Sequence, residues 1–409
     1  MTTIGTEVRR QPTKMRLRQK LYRRLGRVIL VLAIGIAASV SAAIVRTGSQ
    51  AHAAASRPSP RPIARAEPGH RSKQSAGAEQ LAPRADPMAP GLLILPRRNL
   101  PDPFVLPSGG RYYLYSSQTG LYSPPISLTV SRSNSLFAWS STRTVLSQVP
   151  SWASNGFTWA PDVRRIRGRY VMYFDAWIKK RYYFQPQQSG MRQRAQCIGA
   201  ATASSPGGPF HPVGGPPLVC QLDHHGAIDP RSFISPSGVL YLVWKSDDNA
   251  FPGSHLTHIF SQRLSGDGLH LVGRRYLLLT GTPNSWDGGL VEAPDLVFAK
   301  GSYWLFFSGS WFNQGSYAIG LARCAGPEGP CRPTSRHPFL GSNDQGQAPG
   351  EESLFHNHAG WWIVYSPWSL YAHTYRPVAL AKIDFGAAGP YLAKISRTPL
   401  LVSAHSQGR

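Results

Sequence analysis

Cysteine is scarce in this chain, with four among 409 residues. Cys197, Cys220, Cys324 and Cys331 lack the close paired spacing of a structural zinc site, which argues against a zinc-binding module. Their even number instead fits two disulfide bonds, for which four cysteines allow three connectivities. Cys197–Cys220 together with Cys324–Cys331 is the simplest of these pairings.

Acidic residues are also few, with 20 Asp and Glu against 44 Lys and Arg and a formal net charge of +24. Residues 1–100 hold 18 of the basic residues and 4 of the acidic ones, so they account for +14 of that charge. Nucleic-acid binding would need Lys and Arg clustered on a folded motif, and no such motif is recognisable. The composition therefore argues against nucleic acid as a partner.

Long apolar runs are missing apart from the uncharged stretch Val28–Val45, whose 18 residues are near the lower limit for crossing a bilayer. Nine basic residues precede it and would hold that end in the cytoplasm. Ala51-His52-Ala53 fits a signal-peptide cleavage site. Residues 1–48 are predicted to be a basic region with an apolar targeting helix, either a cleaved signal peptide or an uncleaved anchor. The protein is expected to be secreted or anchored outside the cytoplasm, with membrane contact through this segment only.

Residues 49–91 are rich in Ala, Pro, Ser and Arg and show no periodic apolar pattern. Such a composition buries too little surface to offset the loss of chain entropy on folding. We predict a disordered linker here, then a folded domain over residues 92–402 and a short tail over residues 403–409.

A pattern that occurs five times fills the folded domain. Each copy has a carboxylate, often beside proline, then an apolar strand, a glycine turn and a strand rich in Tyr, Trp and Phe. The steps between copies are 60, 67, 63 and 59 residues, counted from Asp102, Asp162, Asp229, Glu292 and Glu351. Regular steps of this size, filled with short strands, indicate a radial β array with one four-stranded sheet per step. The sequence therefore predicts an all-β fold, a five-bladed β-propeller.

Rotational repetition would bring the carboxylates of different blades together at one end of the propeller axis. Asp102, Asp229 and Glu292 each begin a copy beside a proline-containing turn. Carboxylates gathered in one funnel shift one another's protonation, so that one can activate water while another donates a proton, as glycoside cleavage requires. The alternative is structural, because Asp beside Pro commonly caps turns. Asp162 and Asp295 also start strands, and we interpret both as structural.

The ordered motifs resemble glycoside hydrolase family 43 over roughly residues 95–400. The motifs that support this resemblance are Asp102-Pro103, Trp159-Ala160-Pro161-Asp162, Gly226-Ala227-Ile228-Asp229-Pro230, Glu292-Ala293-Pro294, and the run from Cys197 to Ser204 followed by Gly208-Pro209-Phe210. The resemblance implies an inverting glycosidase that acts on α-L-arabinofuranosides or β-xylosides. It makes Asp102 the general base, Glu292 the general acid and Asp229 the residue that tunes and orients the acid. Base and acid would stand about 6.5–9.5 Å apart to admit a water molecule.

One motif departs from that family. Arabinan-active members often carry a Pro-Gly-His motif in the fifth copy, whose histidine helps to hold a central ion, and here the sequence reads Pro349-Gly350-Glu351. We therefore predict no metal ligands and no required cofactor, and leave a structural cation in the axis as an open alternative. His224 and His225 precede Asp229 closely, and either reach the pocket or lie in a solvated loop.

Aromatic side chains beside the inner strands are the predicted sugar-stacking platforms, although aromatic residues also dominate propeller cores. The predicted substrate-binding residues are Trp159, Phe174, Phe233, Trp286 and Trp311. The expected partner is an oligo- or polysaccharide substrate, and the expected state is a monomer. Two alternatives stay open: a catalytically inactive propeller that only binds glycan, and a retaining, fructan-active hydrolase on a similar propeller.

Overall fold

The computed structural model describes residues 92–95, 98–117, 128–184, 192–250, 256–343, 346–369 and 375–393. The predicted targeting helix, the linker up to residue 91 and the tail over residues 403–409 lie outside the described residues. Within the described ranges, no helix has the length and apolar character that a membrane crossing requires.

The described residues form twenty-one strands, which we number in chain order. The first thirteen are β1 Leu92–Leu95, β2 Phe104–Ser108, β3 Arg111–Ser117, β4 Leu128–Ser133, β5 Arg143–Thr144, β6 Ala153–Ile166, β7 Arg169–Phe184, β8 Arg192–Ala203, β9 His211–Pro212, β10 Ala227–Ile234, β11 Leu240–Ser246, β12 His258–Leu264 and β13 Leu271–Thr280. The last eight are β14 Val291–Ala299, β15 Ser302–Gly309, β16 Ala318–Cys324, β17 Cys331–Pro333, β18 Gln347–Asn357, β19 Gly360–Trp368, β20 Val378–Gly386 and β21 Gly389–Ala393. Two 3₁₀ helices, Leu222–His224 and Asp248–Ala250, flank β10 and β11.

These strands build five antiparallel sheets, which confirms the predicted five-bladed propeller. Blades 1 to 4 are the successive four-stranded sheets β2–β5, β6–β9, β10–β13 and β14–β17. Blade 5 contains β18, β19 and β20, and both β1 and β21 pair with the free edge of β20. The first strands of the five blades contact one another in sequence around the ring, and β18 contacts β2, so these strands line the axis.

Strand β1 closes the ring, because it places the beginning of the domain in the last blade. Its register pairs Leu92 with Leu380 and Leu93 with Ala379. Ile94 and Leu95 are buried in an apolar cluster that blades 5 and 1 share, with Trp362 and Val105 among its members. The apolar strand β1 is stable at this edge because β20 pairs with its backbone and blades 5 and 1 bury its side chains.

Each interface between neighbouring blades contains one such apolar cluster. Burial of alternating side chains from two packed sheets is the dominant stabilising term for an all-β domain. The two predicted disulfides are present: Cys197–Cys220 joins β8 to the segment before β10, and Cys324–Cys331 joins β16 to β17.

The inner strands share a β-bulge at the same height in blades 2 to 5, and this bulge sets the height of the functional groups. The bulged residues Ala160, Asp229, Ala293 and Glu351 have φ values of 48°, 54°, 47° and 55°, and Asp102 in blade 1 has 54°. Four of these five residues precede proline, which cannot donate a ladder hydrogen bond and so favours a bulge.

The bulged backbone N–H groups donate to side chains on the preceding blade, which holds the strained residues in place. Ala160 N donates to Ser117 Oγ at 2.9 Å, and Glu351 N donates to Ser308 Oγ at 2.9 Å. In two copies the sequence repeat was counted from a residue that is not the structural equivalent of the others. The residues equivalent to Asp102 and Asp229 are Ala160 in blade 2 and Ala293 in blade 4. Asp162 and Glu292, from which the steps were counted, lie elsewhere on the same strands. The bulge inserts a residue that a count of sequence steps does not reveal.

Below the bulges, buried charged residues join adjacent inner strands. Asp162 accepts a hydrogen bond from Ser232 N at 3.1 Å, and Asp295 accepts one from Leu354 N at 2.6 Å. The Arg231 side chain donates to the Pro161 carbonyl oxygen at 3.3 Å and is 2% exposed. Asp162 and Asp295 therefore link blade 2 to blade 3 and blade 4 to blade 5.

Closure by β1 leads to a stability prediction. Ile94→Ala removes buried methylene groups from the cluster between blades 5 and 1, and we expect the free energy of unfolding to fall by about 2–4 kcal/mol. Leu277→Ala, at a side chain that is 50% exposed, is the matched control and should cost well under about 1 kcal/mol. Equal losses in chemical denaturation of the two variants would contradict the closing role of β1.

Candidate active site

The three predicted catalytic carboxylates come together at one end of the axis, and a fourth joins them. Asp102 precedes β2, Asp229 lies in β10 and Glu292 in β14, and each is 7% exposed. Carboxylate oxygens of Asp229, Glu292 and Glu351 lie within 4.8 Å of one another. The negative charge of Asp102 contributes to the raised pKa of both Asp229 and Glu351, which places it in the same cluster.

Asp229 is the residue that connects the others. Its Oδ2 accepts a hydrogen bond at 3.0 Å from the N–H of Ala293, the residue after Glu292, and so positions the backbone that carries Glu292. Its own N–H donates to Asp175 Oδ1 at 3.2 Å. Burial first, and then the charge of Glu292, raise the pKa of Asp229 to about 7, although the nearby Lys245 acts to lower it.

Glu292 is held at both carboxylate oxygens. Lys245 Nζ lies 3.1 Å from Oε2, and the Tyr317 hydroxyl lies 2.7 Å from Oε1. Burial lowers the pKa of Lys245, but the charges of Glu292, Asp247 and Asp229 outweigh burial and raise it overall, so this ammonium stays charged. Lys245 and Tyr317 therefore direct one hydrogen-bond donor at each oxygen of the Glu292 side chain.

Asp102 faces a different cation. Arg376 Nη1 lies 3.8 Å from Asp102 Oδ1, and both side chains are at most 10% exposed. The Arg376 guanidinium also lies over the rings of Tyr317 and Trp368, at 5.8 Å and 5.9 Å from their centroids. The guanidinium therefore places a buried positive charge beside the Asp102 carboxyl group.

Glu351 occupies the position after Pro349-Gly350, where the family that the sequence resembles often has histidine. The Tyr317 hydroxyl lies 2.9 Å from its Oε1, while Oε2 is buried without a hydrogen-bond partner. Burial raises the pKa of Glu351 well above its usual range, and the charges of Asp229, Asp102 and Glu292 raise it further. Gly350 makes this arrangement possible, since a Cβ at that position would overlap the Tyr317 ring.

The cluster of Asp229, Glu292 and Glu351 also presents the oxygen ligands that a hard divalent cation prefers. The axial cation that the sequence left open therefore has a candidate set of ligands in these three side chains. The same carboxyl groups can instead share protons, which the raised pKa values of Asp229 and Glu351 favour.

Sequence reasoning missed the cations and the phenol around the carboxylates. Lys245 was detectable as the one charged residue in the apolar strand Leu240–Ser246, where it is 1% exposed. Tyr317 and Arg376 gave no comparable signal, because both lie in connections between strands, and their approach to the axis depends on the folded chain.

The predicted sugar platforms divide into two groups. Phe174 and Phe233 are 0% and 6% exposed and pack in the apolar clusters between blades, so their prediction as sugar-binding residues is wrong in this structure. The apolar side chains of these clusters cover both rings, so neither ring has a face open for stacking on a sugar. Trp286 is partly exposed but stacks on Phe307 with ring centroids 5.9 Å apart.

Trp159 and Trp311 remain predictions, and the structure adds aromatic neighbours at two places on the rim. Trp159 lies 5.5 Å from Phe157 and 5.6 Å from Trp177, measured between ring centroids, and all three rings are partly exposed. Phe312, beside Trp311, stacks on Trp368 at 6.4 Å and is 46% exposed. These groups offer flat apolar faces of the kind that stack on sugar rings.

The arrangement gives each carboxyl group of the cluster its own partners, which suits two proton transfers by different groups. Asp102 has an arginine partner, Glu292 has a lysine and a phenol, and Asp229 bridges to the backbone beside Glu292. Carboxyl groups that share one cavity but have separate partners are typical of acid–base catalysis.

Comparison with known proteins decides the family. The sequence profile described as glycosyl hydrolases family 43 matches residues 94–390. The chain belongs to this family. It is a glycosidase, a hydrolase that acts on glycosyl bonds, and its substrate is a carbohydrate.

Two curated relatives of this family 43 member are similar over most of its folded domain. Beta-D-galactofuranosidase xynD of Aspergillus niger is 26% identical over 298 residues, covering 71% of this chain and 81% of the relative. Extracellular endo-alpha-(1->5)-L-arabinanase 1 of Bacillus subtilis is 25% identical over 273 residues, covering 62% of this chain and 76% of the relative.

Solved structures agree on the fold. A thermostable family-43 glycoside hydrolase superimposes with a TM-score of 0.62 at 23% identity, covering 76% of this chain and 97% of that one. The endo-arabinase of Bacteroides thetaiotaomicron gives a TM-score of 0.55 at 21% identity, covering 75% and 97%. At these identities the likeness supports the propeller architecture of the family 43 domain.

The raised pKa of Asp229 predicts a pH-dependent stability. A carboxyl group whose pKa is about 7 in the folded state and about 3.9 when unfolded stabilises the fold below about pH 4, and this contribution is lost as the pH rises through 7. We therefore expect Asp229→Asn to raise the melting temperature relative to the wild type by about 2 °C or more at about pH 8. The gain should shrink as the pH falls from about 7 to about 4 and vanish near about pH 3, below both pKa values, where the wild-type carboxyl group is protonated in both states.

Differential scanning calorimetry at several pH values measures this effect. Asp223→Asn is the matched control, because Asp223 is an exposed carboxylate paired with Arg275. A pH-independent difference between Asp229→Asn and the wild type would contradict the desolvated, like-charge environment assigned to Asp229.

Proposed function

We propose that this protein is an exported, inverting glycosidase that cleaves α-L-arabinofuranosyl or β-xylosyl linkages of plant or cell-wall polysaccharides. The observation that carries the proposal is the convergence of Asp102, Asp229 and Glu292, from three different blades, in one buried cluster with separate cationic partners.

Asp102 acts as the general base. Its carboxylate, paired with Arg376, accepts a proton from the water molecule as that water attacks the anomeric carbon. An inverting enzyme needs no covalent intermediate, since water displaces the leaving group directly from the opposite face.

Glu292 acts as the general acid and transfers its proton to the glycosidic oxygen as the bond to the anomeric carbon breaks. The carboxylate that it becomes is stabilised by Lys245 and Tyr317, both already in contact with its oxygens. Asp229 orients this acid, because its Oδ2 accepts a hydrogen bond from the N–H of Ala293, the residue after Glu292.

The substrate class follows from the family and from the named relatives. One relative is named a galactofuranosidase and two are named extracellular arabinanases, from Bacillus subtilis and Thermotoga petrophila. Furanosides are therefore the first substrates to test, and β-xylosides the second. Export is supported by the extracellular relatives and by two disulfides, which form and persist in oxidising compartments.

A panel of 4-nitrophenyl glycosides tests the function: α-L-arabinofuranoside, β-D-xyloside and β-D-galactofuranoside, together with short arabino- and xylo-oligosaccharides. We expect turnover of at least one of them by the wild type. Asp102→Asn should lower kcat by about 10²–10⁴-fold on every substrate that the wild type cleaves, because it removes the group that activates water. Glu292→Gln should lower kcat by about 10²–10⁴-fold on the oligosaccharides, whose leaving groups need a proton, and by less on the 4-nitrophenyl glycosides.

Asp223→Asn serves again as the control, since this exposed residue lies outside the cluster and should retain wild-type turnover. Binding of oligosaccharide without turnover by the wild type would favour a glycan-binding propeller over an enzyme. Undiminished kcat in Asp102→Asn and Glu292→Gln would overturn the assigned roles.

A further inference from the structure

Outside the carboxylate cluster, three histidines surround a single buried carboxylate. His224 ends the 3₁₀ helix Leu222–His224 and His225 follows it, while Asp248 begins the second 3₁₀ helix and His258 begins β12. The Asp248 side chain is 8% exposed, and the three imidazoles are 22–28% exposed. Glycosidic cleavage as described above uses none of these four side chains.

The donor atoms stand at distances that suit a metal ion. His224 Nδ1 lies 2.9 Å and His258 Nε2 lies 3.9 Å from Asp248 Oδ2, and one donor atom from each residue falls within 4.8 Å of the others. Ligand atoms at about 2.0–2.1 Å from a tetrahedral zinc ion lie about 3.3 Å apart, so small side-chain rotations would complete the site.

His258 is oriented as metal-bound histidines usually are. Its Nδ1 lies 2.9 Å from Thr280 Oγ1, and in the tautomer that donates Nδ1–H to this hydroxyl the lone pair of Nε2 faces Asp248.

The charges of the cluster point the same way. Among the described residues, the ion pairs of Asp248 are with histidines alone, and no lysine or arginine pairs with it. A buried carboxylate needs a positive partner, and a bound metal ion would supply one. His225 Nδ1 lies 3.2 Å from Asp248 Oδ1, on the other side of the carboxylate, and His225 is held at a positive φ of 61°.

We propose that His224, Asp248 and His258 bind a divalent transition metal of the zinc type, with His225 supporting the carboxylate from its other oxygen. Two nitrogen ligands and one carboxylate suit zinc better than calcium or magnesium, which prefer oxygen ligands. The site is distinct from the cluster of Asp229, Glu292 and Glu351, which offers oxygen ligands only.

Such an ion would fasten two loops that lead into the active site. One loop runs from Cys220 to β10, which carries Asp229, and the other follows β11, which carries Lys245. The disulfide to Cys197 fixes the far end of the first loop, and the metal would fix its near end against the start of β12.

Metal titration of the full chain, prepared without a polyhistidine tag and freed of metal by a chelator, tests the proposal. Isothermal titration with Zn²⁺ should show one tight site, and Co²⁺ should give the visible absorption of a tetrahedral nitrogen–oxygen site. His224→Ala and His258→Ala should each weaken Zn²⁺ binding about 100-fold or more, and Thr280→Val about tenfold.

His270→Ala is the matched control, because His270 is an exposed histidine in the turn between β12 and β13 and should leave the affinity unchanged. Zn²⁺ should also raise the melting temperature of the wild type but not that of His258→Gln. A cooperative melting transition of His258→Gln that Zn²⁺ does not shift identifies a variant that is folded but unable to bind the ion.

Three results would overturn the proposal. The first is the absence of stoichiometric Zn²⁺ binding by the wild type. The second is an equal affinity of the wild type and His258→Ala for Zn²⁺. The third is that Ca²⁺ displaces the bound ion as readily as added Zn²⁺ does. The last result would assign the ion to oxygen ligands elsewhere in the chain.

Discussion

Mutual repulsion among carboxyl groups around one axis is the constraint on which the rest of the structure depends. Asp102, Asp229, Glu292 and Glu351 meet there because each blade turns its first strand towards the same line. Burial removes the water that would screen their charges, so the folded chain must either protonate them or supply cations. It does both, through the raised pKa values of Asp229 and Glu351 and through cations that approach from separate strands and loops.

The bulge before proline links this electrostatic arrangement to the backbone. It turns one residue of each inner strand to a positive φ and frees an N–H group that the preceding blade must satisfy. In blade 4 the acceptor is Asp229 itself, which receives the N–H of Ala293. The same hydrogen bond therefore satisfies a strained strand and positions the backbone beside Glu292, so the fold and the proposed mechanism share one contact.

Part of this structure was predictable from residue order alone. The five blades followed from regular spacing and strand composition, and the meeting of Asp102, Asp229 and Glu292 followed from rotational symmetry. The phase of the repeat did not, because a bulge adds a residue that a count of sequence steps does not reveal. Phe174 was misassigned for a related reason: a strand with two buried faces shows no alternation that separates core rings from exposed ones.

The central claim is that Asp102 and Glu292 act on opposite faces of the scissile bond, with water as the nucleophile. Proton NMR of the first-formed sugar, recorded before mutarotation, tests it most directly on whichever furanoside or xyloside the wild type cleaves. The account predicts that the first anomer has the configuration opposite to that of the substrate. A product with retained configuration would require a covalent carboxylate intermediate and would contradict the account.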